Sequence, residues 1–231
     1  MLAELFATNP KCIGFIRSLA MELYTHTGSP WCRKVDWALV EMGLSEKVQC
    51  HVAGMNGTDA KPVVEKMKAE CGPHSTLPSL KMGDWVLSES SSIVYFLADE
   101  FNFDGPFLHK NAQKRALTHQ WDRIADISLG ANVLSPWLRN TIFLNGKTAD
   151  PAVFEKAKEN FIKVEDRLVS QLNTTSFLGG SQFSFADVSM AHLLTQLASL
   201  DGPRLKSEKA LNWLQKCVER PHYVALTKRN A

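Results

Sequence analysis

The run Ser29-Pro30-Trp31-Cys32 puts a hydroxyl, a helix start and a thiol within one turn of chain. Serine is a good N-cap and proline suits the first helical position, so Ser29 stands at a helix N-terminus. Such an end presents unpaired amide hydrogens and positive dipole, and a hydroxyl there can donate one more hydrogen bond to a bound anion. A thiolate is one anion this arrangement favours; plain capping is the other reading. No histidine or aspartate stands near Ser29 in a triad-like arrangement, so its chemistry is that of a donor and not of a nucleophile. Cys32 lies one turn on, where a helix usually buries cysteine as a small apolar residue. A second pair, Glu89-Ser90, opens another helical stretch. Its carboxylate can pair with an ammonium, and the serine hydroxyl and amide can hold a carboxylate, unless both merely cap the helix. His26, His51 and His74 have no partner at metal or triad spacing and read as structural.

The elements that must position these groups change character along the chain. From Met21 to Glu100, short strand-like stretches alternate with helical ones. Met21–Tyr24 predicts a strand, and the helix opened by Ser29-Pro30 runs to Gly43. Its apolar residues Trp31, Val35, Ala38, Leu39 and Met42 recur at three- and four-residue steps and form one buried face. A second strand is predicted over Val48–Val52 and a short helix over Lys61–Ala69. Pro78–Met82 and Trp85–Leu87 flank Gly83-Asp84, which reads as a hairpin turn. Ser90–Glu100 carries Ile93, Phe96 and Leu97 on one helical face. The order β-α-β-α-β-β-α gives a parallel pair followed by a hairpin. Phe101–Asn111, with Asp104-Gly105-Pro106, reads as a linker. Beyond it strand signals fade, and helical periods run through Phe154, Ala157, Phe161, Val164, Leu168 and Leu172, and again through Ala210, Leu211, Leu214, Cys217 and Val218. Trp121, Trp137 and Trp213 help fill this half.

Composition bounds the partners. The 231 residues are 45% hydrophobic and 22% charged, ordinary for a protein with a real core. A formal charge of +2 without runs of like charge offers no footprint for nucleic acid or an anionic membrane. Cys12, Cys32, Cys50, Cys71 and Cys217 are odd in number and scattered, with neither CxxC nor metal-ligand spacing. Reduced thiols in a cytoplasmic setting and no metal are expected. No apolar run approaches the roughly 20 residues that span a bilayer. In residues 1–20, Lys11 and Arg17 interrupt Cys12–Ile16 and Leu19–Ala20, which suits neither a signal peptide nor a membrane helix. This stretch is read as an extension ahead of Met21, with organelle targeting as the rival.

Three separated segments carry a family resemblance. Leu23–Val35, through Thr27-Gly28-Ser29-Pro30-Trp31-Cys32-Arg33, resembles the strand–loop–helix start of thioredoxin-fold glutathione transferases. Pro73–Leu80 resembles their loop in which an apolar residue precedes a cis-proline. Leu87–Ile93 is similar to the acidic-Ser pair opening the third helix. A fourth, Phe183-Ser184-Phe185-Ala186-Asp187-Val188, resembles the capping box and staple of a buried helix in the family's second domain. Each is common alone; their order and spacing are specific, and the match covers about residues 21–226.

The resemblance implies an α/β plus all-α protein: an N-terminal thioredoxin-like, glutathione-binding domain (21–100), a linker (101–111) and an all-helical domain (112–231), after the extension 1–20. It implies glutathione as co-substrate and a homodimer. Ser29 becomes the donor to the glutathione sulfur. Leu77, before a cis Pro78, pairs strand-fashion with the cysteinyl unit. Thr76, where many relatives have Lys or Gln, faces the glycyl end, and Glu89 and Ser90 hold the γ-glutamyl end. Trp31 is the candidate for lining the acceptor pocket. Ser-Pro-Trp-Cys also looks like the glutaredoxin motif with its attacking cysteine replaced, which argues against thiol-transferase chemistry at Cys32. The activity implied is conjugation of glutathione to hydrophobic electrophiles. Glutathione-dependent isomerisation or dehalogenation, and a non-catalytic interaction module, are the alternatives.

Overall fold

The computed structural model describes residues 20–54, 60–140 and 150–228. The predicted extension, save Ala20, lies outside them.

The first half is a four-stranded sheet with helices. Strand β1 (Met21–His26) leads into α1 (Pro30–Glu41), and β2 (Gln49–Ala53) into α2 (Ala60–Cys71). Then β3 (Ser79–Met82), β4 (Trp85–Ser88) and α3 (Ser90–Glu100) follow. The strand order is β2-β1-β3-β4, with β1 parallel to β2 and antiparallel to β3, and β3 antiparallel to β4. This is the thioredoxin-like arrangement. The β3–β4 turn needs left-handed backbone, and Gly83 supplies it at φ 58°.

Helix α1 departs from the expected single buried face. Val35, Ala38 and Leu39 are buried as the periodicity predicts, but Cys32, Lys34 and Trp37 are at most 1% exposed as well. The reason is that α1 lies between the sheet and the helical half. Trp37 packs its ring on Phe183 and Tyr223, and its indole N–H donates to Glu41, 3.0 Å away. Glu41 is in turn held by Arg220 (2.7 and 2.9 Å). The helix bearing Ser29 is thus clamped on two sides.

The second half is helical among the described residues. Helix α4 (Ala112–Arg123) continues through a π-helical stretch, Ile124–Leu134, into the short α5 (Ser135–Leu138). Then come α6 (Pro151–Leu172), α7 (Phe185–Ser199), α8 (Glu208–Val218) and α9 (Pro221–Lys228). Trp121, Trp137 and Trp213 are all buried. The predicted box at α7 is present: the Asp187 carboxylate reaches back to the Ser184 amide at 2.8 Å. It also accepts from the Ser184 hydroxyl, the Leu178 amide and the Trp213 indole, so this fully buried carboxylate is surrounded by donors. Burial nevertheless pushes its pKa up to about 6.

The stretch read as a linker does more than connect. Phe107 and Leu108 are buried, Phe107 contacts Phe183 and Phe185, and its carbonyl accepts the Phe185 amide at 2.9 Å. No described helix is long and apolar enough to cross a membrane.

Candidate active site

Ser29 is the N-cap of α1, with extended backbone (φ −85°, ψ 123°). Its hydroxyl accepts the Cys32 amide at 3.4 Å, and its carbonyl accepts that of Arg33 at 3.0 Å. Accepting from the Cys32 amide does not use the hydroxyl hydrogen, which can turn either to the Cys32 sulfur or outward to a ligand. Pro30 brings no N–H, so the first turn offers an outside ligand the Ser29 hydroxyl and the Trp31 amide. The loop leading in is shaped by His26, whose Nδ1 accepts the Gly28 amide at 2.9 Å. His51 is paired with Glu22 at 2.8 Å on the sheet, and His74 is exposed; neither reaches this loop as a base.

Cys32 points inward, fully buried. Burial pushes its thiol pKa up to about 11, against the opposing hydrogen bonds of Ser29 and Thr25. A thiol so placed is protonated near neutrality and unreactive.

The other predicted residues come together. Trp31, Thr76, Leu77, Pro78, Glu89 and Ser90, from three separate segments, line one cavity of about 260 Å³. Ser29 is not among its walls; it stands two residues before Trp31, at the cavity's edge. The Leu77–Pro78 peptide is cis. Thr76 is exposed and its carbonyl accepts the Ser79 hydroxyl, leaving its own hydroxyl unengaged among the described residues.

Glu89 resolves an ambiguity of the sequence. It occupies the N-cap position of α3, yet its side chain makes no capping hydrogen bond. Its backbone is held at φ 72°, a region that costs a non-glycine residue on the order of 1 kcal/mol or more. An exposed carboxylate held in a strained backbone and not spent on capping is available to a cation. Ser90 is buried beside it at the first turn of α3.

Trp31 lines the same cavity as the backbone-binding candidates, and does not stand apart in a separate acceptor pocket. Its ring runs back toward Gly130 of the π-helical stretch, where an added Cβ would lie 3.9 Å from it and 3.3 Å from the Ala125 carbonyl. The tighter of the two contacts is with the carbonyl of its own stretch, and the distance to Trp31 is an ordinary packing contact.

Sequence reasoning missed a buried charge cluster behind these residues. Lys34, 1% exposed, donates to Asp126 (2.7 and 2.9 Å), Asp122 (3.2 Å) and Ser91 (2.9 Å). Ser91 also donates to Asp126 and Ser189 to Asp122. The cluster ties α1 and the first turn of α3, the two helices that present the site, to α4, the π-helical stretch and α7. One signal was available: Lys34 lies three residues after Trp31 and four before Ala38, on a face otherwise apolar.

The comparisons with known proteins agree with this geometry. Residues 23–107 match the family model for the N-terminal domain of glutathione S-transferase, and residues 131–221 that for its C-terminal domain. The chain is 30% identical over 161 residues to glutathione S-transferase F11 of Arabidopsis thaliana, covering 67% of this chain and 74% of the relative. It is 23% identical over 219 residues to glutathione S-transferase 1 of Manduca sexta, covering 92% and 93%. Among solved structures, glutathione transferase F7 of Populus trichocarpa superposes with a TM-score of 0.72 at 20% identity, over 92% of this chain and all of that one. Glutathione transferase URE2P8 of Phanerochaete chrysosporium, solved with oxidized glutathione, gives 0.74 at 19% identity, over 92% and 96%. The chain belongs to the glutathione S-transferase family. It is a glutathione transferase, with glutathione as its co-substrate.

Proposed function

We propose that this transferase conjugates the glutathione thiolate to hydrophobic electrophiles, with Ser29 as the donor to the sulfur. A free thiol with a pKa of about 8.5 is mostly protonated at neutral pH, so stabilising the thiolate enlarges the reactive fraction. The Ser29 hydroxyl, aided by the α1 dipole, does this. Glu89 pairs with the γ-glutamyl ammonium, and Ser90 receives the adjoining carboxylate at the head of α3. Leu77, beside Pro78, pairs its backbone with the cysteinyl unit, Thr76 meets the glycyl end, and Trp31 covers the reacting region on its apolar side. The sulfur attacks the acceptor carbon while held in orientation, and the rate gain comes from ionisation and positioning. We assign the glutathione-binding part to residues 21–100 and acceptor-side walls to 112–231, joined through 101–111. A homodimer working in the cytoplasm completes the reading.

The observation that carries it is the convergence of Trp31, Thr76, Leu77, Pro78, Glu89 and Ser90 on one cavity at the edge of the Ser29 turn. A cysteine-dependent alternative has no support in the inert, buried Cys32. The test is Ser29→Ala, assayed with 1-chloro-2,4-dinitrobenzene and, separately, for retention on immobilised glutathione. Turnover should fall at least about tenfold, the worth of one charge-assisted hydrogen bond, while retention is largely kept. Unchanged turnover sinks the role of Ser29, and failure of the wild type to bind glutathione would favour an interaction module.

A further inference from the structure

A second cavity, of about 290 Å³, lies against the β1–α1 loop that leads into Ser29. It is enclosed by Thr27 and Gly28 of the β1–α1 loop, Arg33 of α1, His192 and Thr195 of α7, and Tyr223 of α9. The glutathione-site residues do not line it. Gly28 lines this cavity and Trp31 the other, so Ser29 lies in the chain between a residue of each.

Its walls are polar and incompletely satisfied. His192 is 2% exposed, yet neither ring nitrogen has a hydrogen-bond partner. Burying such a group unpaired costs about 1–3 kcal/mol per polar atom, so a ligand that paired with the ring nitrogens would recover that cost. Burial, reinforced by the charges of Arg33 and Lys34, lowers its pKa to about 3, so the imidazole is neutral and offers one N–H donor and one acceptor. Arg33 is the only cation on the lining, and no carboxylate of the described residues lies within ion-pair distance of it. Its guanidinium makes one long hydrogen bond, to the Thr27 carbonyl at 3.4 Å. The contrast with the next residue is sharp: Lys34 is neutralised by two aspartates. The Tyr223 hydroxyl donates to that of Thr195 (3.1 Å), which donates to the His192 carbonyl (2.8 Å), and the chain forms a fixed wall.

We propose that this cavity receives a carboxylate carried by the electrophilic acceptor, with Arg33 and His192 as its anchors. The inference rests on the reading of Ser29 given above and narrows the acceptor to acidic electrophiles. One planar guanidinium and one neutral N–H match a two-oxygen anion of single charge; a phosphate dianion calls for more cations. With the carboxylate seated there, the electrophilic carbon lies toward Ser29. For an aryl chloride the sulfur–carbon bond forms, the carbon–chlorine bond breaks, chloride leaves with the electron pair, and the thiol proton goes to solvent.

Binding is read by calorimetry with two non-reacting probes, 3-nitrobenzoate and its methyl ester. Wild type should hold the acid at least about tenfold more tightly than the ester, as a charge-assisted hydrogen bond implies. Arg33→Leu should erase that preference, and Arg33→Lys, which keeps the charge, should retain part of it. Equal binding of acid and ester, or a preference unchanged in Arg33→Leu, overturns the proposal and leaves ordered water as the partner of His192. Turnover is then read with 4-chloro-3-nitrobenzoate and its methyl ester, each divided by its uncatalysed rate with glutathione. The acid-over-ester ratio of kcat/KM should fall about tenfold in Arg33→Leu. Acid that binds through Arg33 without competing against the ester overturns the acceptor assignment. Turnover of both compounds independent of Ser29 counts against the Ser29 reading instead, and the binding arm still decides the cavity.

Discussion

Lys34→Met removes the cation from the cluster that joins the site-bearing helices to the second half. The ammonium lies 2.7 Å from Asp126 and 3.2 Å from Asp122. At an effective dielectric of about 20, each contact contributes roughly 5–6 kcal/mol before desolvation. Desolvation offsets much of this, so the intact cluster adds little net stability compared with an apolar one. Breaking it is different, because Asp122 is fully buried and Asp126 is 13% exposed. Asp122 is then left with no cation among the described residues and Asp126 keeps only the exposed Arg123 at 3.6 Å, a situation that costs about 3–5 kcal/mol. The assay is urea unfolding, where that loss moves the midpoint down by about 1–2 M. A control separates lost packing from stranded charge: Lys34→Met with Asp126→Leu should recover part of the loss, since only Asp122, held by Ser189 at 2.7 Å, remains charged. A loss below about 1 kcal/mol, the worth of a surface pair, would falsify the claim that this cluster holds the halves together.

Two more perturbations follow from particular residues. Glu89→Gly relieves the backbone held at φ 72° while Glu89→Ala does not, so the glycine variant should be the more stable by about 1 kcal/mol in urea melts, and both should bind glutathione less well; equal stability of the two refutes the strain. His192 stays neutral in the folded chain down to about pH 3 but takes up a proton near its ordinary value once unfolded. The unfolded state therefore binds more protons below about pH 6.5, and stability falls as the pH drops, by up to about 1.4 kcal/mol per pH step from this residue. His192→Gln should flatten the acid limb of the urea midpoint against pH, and an unchanged limb counts against the assignment.

What the sequence disclosed was local chemistry. The hairpin is written in Gly83-Asp84, the helix heads in Ser29-Pro30 and Glu89-Ser90, and the box of α7 in Ser184 and Asp187, because caps and turns act between neighbours in the chain. Those signals sufficed for the order β-α-β-α-β-β-α, while the residues of the cavity wall were singled out by the family resemblance. The rest depends on meetings across long stretches of chain. Lys34 reaches Asp122 and Asp126 across 88 and 92 residues, and Arg220 reaches Glu41 across 179. No periodicity records such pairs. The π-helical stretch Ile124–Leu134 was equally silent, since it carries Asp126, whose partner Lys34 lies 92 residues away. His192 shows the limit from the other side: among the several polar residues of α7, nothing in the sequence set it apart as one whose ring nitrogens would be buried without a partner among the described residues.

Ser29 acquires its meaning from these distant contacts. A serine at a helix head is an ordinary cap, and here it does cap, accepting the Cys32 amide. What distinguishes it is its place in the chain between Gly28 and Trp31, which line two cavities of different chemistry. One is walled by the cis-proline loop and an acid left unspent by its own helix. The other is walled by an unpaired arginine and an unpartnered histidine. A transferase has to bring two unlike substrates to one sulfur, and on the reading proposed above the Ser29 hydroxyl holds that sulfur. Loosening α1, as Lys34→Met does, should therefore impair the encounter of the two substrates more than the binding of either, appearing in kcat ahead of either KM.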